Sequence, residues 1–467
     1  MRTQVHFIGI CGTAMATLAA MLKARGADVQ GSDHGVYPPM SDFLVREGIR
    51  VFDGYAPEHI TSDIHLVVVG NAISRGNPEL EEVLDRKIRY RSLPETIREE
   101  FLWNGRSVVI AGTHGKTTTT ALTGWLLTAC GSDPSVLIGG IANNFDGSFR
   151  LGAGRDFVIE GDEYDSAFFD KTAKFLKYLP DIAVVGNVEY DHADIYPDMD
   201  ALRLAFRRLV ALVPRRGRLI LGADSPEAAA LAALARCQVE TFGIDADADW
   251  RASELQPEGE RIRFQVTRSG EPLGHFAVPL FGAHNVRNAL AALAAGHAAG
   301  LDPEAMRAAL EQFRGVRRRL ELRGVARGVA VFDDFAHHPT AILETLRAVR
   351  WSYPDRRLWA IFEPRSATAC RRVFQEDFAR AFSESGADQI VIAQVFRSTL
   401  PDHERLSVED LISQVSHAGR RIRHISGVPA IVDAVAAEAG DGDVVVIMSN
   451  GGFDGIHDKL LAALRAE

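Results

Sequence analysis

Gly112-Thr113-His114-Gly115-Lys116-Thr117-Thr118 follows the apolar run Ser107 to Ala111 and precedes a helical pattern. Glycines at such a turn let backbone N–H groups close on phosphate oxygens, and the helix N-terminus behind them adds positive potential. In that reading Lys116 pairs with the β- and γ-phosphates of ATP and the Thr117 hydroxyl holds Mg²⁺. The general form of the loop has glycine six positions before the lysine. Ile110 stands there, so this is a variant form. A chance glycine-rich turn is the plainer alternative, and Gly-Lys-Thr-Thr behind a buried strand weighs against it.

Three further clusters lie at the ends of apolar runs, where the crevice of an α/β sheet receives its ligand. Glu160-Gly161-Asp162-Glu163-Tyr164-Asp165 follows Phe157 to Ile159, and its carboxylates are the hard donors Mg²⁺ prefers; a solvated acidic turn is the alternative. Gly186-Asn187-Val188-Glu189-Tyr190-Asp191-His192 follows Ile182 to Val185. Asp191 could bind a metal or orient a ligand of one, and His192 could bind directly, although histidine is an unusual partner for Mg²⁺. Asp333-Asp334-Phe335-Ala336-His337-His338-Pro339 follows Val329 to Phe332, with Arg317-Arg318-Arg319 upstream; a satisfied loop and a solvated basic turn are the competing readings. Elsewhere Gly282-Ala283-His284-Asn285-Val286-Arg287-Asn288 opens an Ala-rich helix, Asn288 to Ala299. Asn285 and Asn288 share a face and could read a base or a ribose, or Asn285 could simply cap the helix.

The opening turn Gly9-Ile10-Cys11-Gly12-Thr13-Ala14 sits where a dinucleotide fingerprint would sit, but that pattern needs glycine at 11 and 14. With Asp33 about twenty residues on, placed for a ribose hydroxyl, a nucleotide-diphosphate pocket is favoured over an NAD site.

These sites need scaffolds. The chain has 467 residues, enough for two to four domains at ~100–200 residues each. Hydrophobic content of 46% and charged content of 24% are those of a soluble globular protein. A net charge of −10 argues against a basic nucleic-acid surface and gives no attraction to an anionic membrane. Four cysteines, Cys11, Cys130, Cys237 and Cys370, have no metal-ligand spacing and suit a reducing cytosol. With no secretory core or long apolar run, a cytoplasmic enzyme is expected.

Strands and helices alternate in three successive blocks, each restarting with a buried strand. The expected architecture is α/β with three domains: residues 1–103, Rossmann-like; 104–314, a phosphate-loop domain with a mostly parallel sheet and some small antiparallel strands between Val239 and Val278; and 315–467, Rossmann-like again.

Taken together, the Gly112–Thr118 loop, Glu160, Asn187 with His192, His284-Asn285 with Asn288, Arg319 and Asp334 resemble the Mur ligases in order and spacing over essentially the whole chain. That family joins an amine to a UDP-muramoyl carboxylate at the expense of ATP. Gly9–Thr13, Gly31-Ser32-Asp33, Val36-Tyr37-Pro38-Pro39-Met40, Glu363-Pro364-Arg365-Ser366 and Ser449 to Gly455 resemble its murein-peptide branch, which adds L-alanyl-γ-D-glutamyl-meso-diaminopimelate to UDP-N-acetylmuramate. The L-alanine-adding branch shares Asp333-Asp334 and His337-His338-Pro339-Thr340 and is the nearest rival. An NAD oxidoreductase and a non-catalytic phosphate-loop protein are more distant ones.

The resemblance implies roles. Thr117, Glu160 and His192 would hold Mg²⁺. Residues 112 to 118, His284, Asn285, Asn288, Arg319 and Asp334 would contact ATP. Gly9, Cys11, Gly12, Thr13, Ser32, Asp33, Asn71, Ala72, Ile73 and Ser74 would form the UDP-sugar pocket. Lys116, Asn285, Asp334, His337 and His338 would serve the chemistry, and Arg365, Ser449 and Asn450 would face the peptide. The implied partners are small molecules alone, and the implied assembly is a monomer or weak homodimer. Some members carry a carbamylated lysine about fifteen residues after the histidine. Arg207 stands there and cannot be carbamylated; it either faces the phosphates or lies on a helix surface, the latter being favoured.

Overall fold

The computed structural model describes residues 3–37, 40–396 and 400–466. Pro38 and Pro39, part of the murein-peptide resemblance, lie outside them. The chain is α/β, with three main sheets in succession, and among the described residues no helix is long and apolar enough to cross a membrane.

The first sheet has five parallel strands in the order Arg50–Asp53, Asp28–Asp33, Gln4–Ile8, Leu66–Val69, Tyr90–Ser92. Leu66–Val69 is buried throughout because helices cover both faces of a parallel sheet. The order reverses between Gln4–Ile8 and Leu66–Val69, which opens a crevice beyond their C-terminal ends. The turn from Gly9 and the segment from Gly70 line that crevice. Helix Thr13–Ala24 follows the turn and buries Met15 to Leu22 on the sheet.

The second sheet has ten strands. Its central six, Gln238–Gly243, Arg218–Gly222, Pro180–Val185, Arg106–Ala111, Asp156–Gly161 and Ser135–Ala142, are parallel neighbours in that order. The small antiparallel strands extend this sheet rather than forming one of their own: Trp250–Glu258 pairs parallel with Gln238–Gly243 and antiparallel with Arg261–Arg268, which in turn pairs with Glu271–Val278. The Ala-rich helix begins at Ala283, not Asn288, so His284 and Asn285 occupy its first turn. Gly282, with φ at +86°, is the N-cap, so the capping alternative for Asn285 falls away. Small alanines let this helix pack closely on the helix Lys116–Ala129.

The third sheet runs Glu321–Ala326, Val329–Asp334, Val444–Met448, Leu358–Phe362, Gln389–Ile392, Ile422–His424, with only the first strand antiparallel. Its C-terminal strand ends, carrying Asp334, Ser449 and Glu363, face the corresponding ends of the second sheet.

Candidate active site

The second sheet sets three strand ends side by side. Ile110 pairs with Glu160, and Ala111 pairs with Val185, so the phosphate loop leaves the sheet between the acidic run and the Gly186–His192 loop. Ile110 itself is buried in the strand. Gly112 has φ +131° and Gly115 +81°. A β-carbon on Gly115 would collide with the Asn288 amide, so both backbone conformation and space require glycine there. Asn187 holds the loop, accepting the His114 N–H at 2.8 Å.

Lys116 is the electrostatic centre. Its Nζ donates to both Glu163 oxygens, at 2.9 and 2.8 Å, and to the Gly112 carbonyl at 2.7 Å. Burial alone would lower its pKa, but Glu163, backed by Asp162 and Glu160, raises it above the usual lysine value. Glu163 also bonds His192 Nε2 at 2.9 Å. Burial disfavours a charged His192, and the contacts from Glu163 and Asp191 outweigh it, raising the pKa. Glu160 lies on the other side. It accepts the Thr117 hydroxyl at 3.2 Å and the Gly139 N–H at 2.9 Å, and burial raises its pKa despite Lys116.

The third domain closes the site. Arg319 Nη2 donates to Thr117 Oγ1 at 3.2 Å, across 202 residues of chain. Arg318 and Leu320, which flank it, both have positive φ, at 59° and 49°, a strained turn for side-chain-bearing residues. Asp334 holds that turn. One oxygen accepts Leu320 N–H and the other Ala336 N–H, both at 2.7 Å. Burial raises the Asp334 pKa, and its two backbone contacts fix the turn that carries Arg319 and the loop that follows. His337 donates Nδ1–H to the Phe335 carbonyl at 2.9 Å, and burial pushes its pKa down to about 4, leaving Nε2 unprotonated at neutral pH. His338 caps the helix Pro339–Ser352. Three contacts dock this domain on the Gly186–His192 loop: the Thr340 hydroxyl to Glu189 at 2.6 Å, His338 to the Tyr190 carbonyl at 3.2 Å, and the Thr368 hydroxyl to Asp191.

Lys116, Thr117, Glu160, His192, Arg319 and Asp334 line one cavity of about 1190 Å³ between the second and third domains. His284 is in its wall, its Nδ1 buried without a hydrogen-bond partner and its pKa pushed down to about 4 by burial. Asn285 and Asn288 line it too, but their amides form a chain from Thr119 through Asn288 and Asn285 to the Phe281 carbonyl. Their amides thus tie the phosphate-loop helix to its neighbour. The oxygens of Thr117 and Glu160 are hard donors at contact distance and fit Mg²⁺. His192 points at Glu163, so the expected set of Thr117, Glu160 and His192 is not one preassembled triad.

In the first domain, Asp33 accepts the Cys11 N–H at 2.7 Å and the Tyr55 hydroxyl at 3.2 Å, shaping the opening turn. Ile73 packs within 3.3 Å of a β-carbon built on Gly9, and Asn71 donates to Asp165 at 3.0 Å. Gly12, Thr13, Ala72 and Ser74 lie on the same turns. Ser32 is a correction. It is fully buried, its hydroxyl donates to Glu79, and its carbonyl receives Gly9 and Ile10 N–H. It supports the turn from inside and offers no side chain to a ligand.

Ser449 is a second correction. It is buried and donates to Glu363, because its strand end turns inward. Arg365 stacks on Phe396 at 3.7 Å, outside the cavity lining. Asn450 does line the cavity, with a buried, unpartnered Oδ1. Arg207 is exposed and faces a separate 340 Å³ cavity, in keeping with the helix-surface reading. Sequence reasoning quoted Glu163 and Glu189 within their runs but gave them no role. Four acids fall between 160 and 165, and only the pairing of strand ends selects one for Lys116.

Residues 4–101 match the Mur ligase family catalytic domain, 110–296 the Mur ligase middle domain, and 318–451 the Mur ligase glutamate ligase domain. The chain is 40% identical over 463 residues to the UDP-N-acetylmuramate--L-alanyl-gamma-D-glutamyl-meso-2,6-diaminoheptandioate ligase of Escherichia coli, covering 99% of this chain and 98% of that one. It is 36% identical over 457 residues to the UDP-N-acetylmuramate--L-alanine ligase of Salinibacter ruber, covering 96% and 92%. A crystal structure of a murein peptide ligase from Psychrobacter arcticus superposes with a TM-score of 0.72 at 36% identity, covering 100% and 99%. A phosphate loop, a facing acidic strand end and an arginine from the turn that leads into the third sheet agree with these matches along the whole chain, which belongs to the Mur ligase family of ATP-dependent ligases.

Proposed function

We propose that the protein joins L-alanyl-γ-D-glutamyl-meso-diaminopimelate to UDP-N-acetylmuramate in the cytoplasm, as part of murein recycling. The convergence of Lys116 and Arg319 on one loop from two domains carries the ligase chemistry. The peptide substrate rests on the 40% identity to the E. coli ligase.

In this reading the muramoyl carboxylate attacks the γ-phosphate of ATP, giving an acyl phosphate and ADP. The α-amine of the peptide then attacks the acyl carbon, and phosphate leaves. Both partners of the first step are anions, so Lys116 and Arg319 must offset their repulsion. Thr117 and Glu160 would hold Mg²⁺, which supplies further neutralisation of phosphate charge, with His192 released from Glu163 to join them. His284, with its unpartnered nitrogen, suits the nucleoside end of ATP. His337 Nε2, unprotonated, would take the amine proton, and Asp334 would position Arg319. The cavity between the second and third domains keeps water from the acyl phosphate while the third domain is docked. The UDP-sugar would sit against the turns from Gly9 and Gly70.

The 36% identity to an L-alanine ligase supports a second reading, in which the amine is L-alanine. ADP release with UDP-N-acetylmuramate and ATP, measured with the tripeptide or with L-alanine at equal concentration, separates the two. The proposal expects turnover with the tripeptide and little with L-alanine; the reverse preference overturns it.

A further inference from the structure

We propose that His114, Glu189 and His338 form a transition-metal site that clamps the third domain onto the phosphate loop, separate from the Thr117–Glu160 position suited to Mg²⁺. One ligand atom from each of the three lies within 4.8 Å of the others. His114 Nε2 is 3.3 Å from Glu189 Oε2, and the His114 and His338 rings are 4.7 Å apart between centroids. All three side chains line the large cavity, so an ion can reach them.

The chemistry of the set selects the ion. Two imidazoles and a carboxylate are the donors of many zinc centres that keep an open position, and they suit Zn²⁺, Co²⁺ or Ni²⁺. Mg²⁺ prefers oxygen ligands throughout. The neutral His338 ring has one proton. With Nε2–H on the Tyr190 carbonyl, the lone pair is on Nδ1, where its partner among the described residues is a long 3.3 Å contact from Thr340 N–H. Binding through Nδ1 would exchange that contact for the ion and keep the N–H to carbonyl bond that ordinarily orients a ligating imidazole. Burial, and then His114, also hold the His338 pKa down to about 4, so no proton need be removed at neutral pH. Glu189 is ready as a ligand too: burial would raise its pKa, but His114 and the Thr340 hydroxyl bring it down to about 2.

The ligands must draw together. Zinc–nitrogen bonds of about 2.0–2.1 Å place tetrahedral donors roughly 3.4 Å apart. The backbone of Glu189 is fixed, because its N–H and carbonyl both bond the Thr113 hydroxyl, at 2.9 and 3.1 Å. The remaining adjustment falls to the Glu189 side chain and the partly exposed ring of His114. His114 and Glu189 belong to the second domain and His338 to the third, so the bound ion would resist opening.

The test uses the full chain without nucleotide or substrate, so it is independent of the ligase reading. Co²⁺ is titrated in excess Mg²⁺, and the visible d–d bands of nitrogen-ligated Co²⁺ are followed. The wild type is expected to develop saturable bands that Zn²⁺ bleaches. Glu189→Gln and His114→Gln should weaken Co²⁺ at least tenfold, and His192→Gln should leave the titration unchanged. His338→Gln should also abolish the bands; if it unfolds by circular dichroism, the other two variants decide. Absence of bands in the wild type overturns the proposal, as does their loss in His192→Gln alone, which would place the ion among the phosphate-site residues.

Discussion

The opening turn at Gly9 and the phosphate loop at Gly112 are built alike: a buried parallel strand, a turn with a positive-φ glycine, then a helix. They differ in what surrounds them. The first turn is organised by one carboxylate, Asp33, with no lysine or arginine hydrogen-bonded to it among the described residues. The second holds a buried lysine between acids, with an arginine arriving from another domain. A strand–turn–helix supplies N–H groups and positive potential, enough to seat a diphosphate. Phosphoryl transfer adds changing charge, and the cations that meet it must be held by opposite charge until substrate comes.

The largest contrast is expected from charge. Lys116→Ala should lower kcat by roughly a hundred- to a thousandfold or more, because it removes a group that matters most when charge develops. Asp33→Ala should mainly raise KM for the UDP-sugar, by roughly tenfold, with kcat little changed. Steady-state kinetics on both variants check this, and a kcat collapse in Asp33→Ala would erase the distinction.

Glu163→Gln comes next. It frees Lys116 and His192 from a carboxylate that triphosphate must compete with, and it removes the group that orients both. The expected signature is a kcat lowered roughly ten- to a hundredfold with KM for ATP unchanged or lower. A raised KM with normal kcat would mean that Glu163 serves ATP binding alone.

Backbone effects follow. Gly115→Ala meets both a positive φ and the Asn288 amide, whereas Gly9→Ala meets a positive φ and an Ile73 side chain at 3.3 Å that can shift. Gly115→Ala should cost about 2–3 kcal/mol of stability and Gly9→Ala about 1 kcal/mol. Urea denaturation measures both, and equal losses would show that the Asn288 contact relaxes freely.

The smallest expected effect is a separation in pH. Burial pulls His284, His337 and His338 from 6.5 down to about 4. The unfolded chain then binds more protons between those values, so this stability is complete above about pH 6.5 and is lost as pH falls toward 4. Glu79, under the first turn, is lowered from 4.5 by His6, Ser32 and His59 in spite of burial, so its contribution persists down to about pH 4.5 and is lost below. Hydrogen exchange, corrected for intrinsic rates, should lose protection near residues 284 and 337–340 before it does near 79. The opposite order would break the comparison.

Much of this was legible in the chain. Apolar strands ending in Gly112, Glu160, Asn187 and Asp334 reveal an α/β scaffold and its reactive edge, because strand periodicity and glycine-rich turns are local properties. Thr117 meets Glu160, which brings the loop and the acidic strand end to one place. The capping alternative for Asn285 fails because the helix begins two residues earlier, at Ala283, behind a positive-φ glycine. Ser32 and Ser449 were misread because a hydroxyl at a strand end can face the crevice or the interior, and its sequence position does not say which.

What the sequence by itself determined is the set of strand ends, the phosphate loop and the family they belong to, since each depends on neighbours along the chain. Only the tertiary structure decided which acid holds Lys116, that His192 rests on Glu163, that Asp334 is spent on two backbone N–H groups, and that His114, Glu189 and His338 meet across a domain boundary. The Lys116, His192 and His114–Glu189–His338 pairings join residues 29 to 224 positions apart, and their partners are chosen by sheet order and domain docking, which no local pattern encodes.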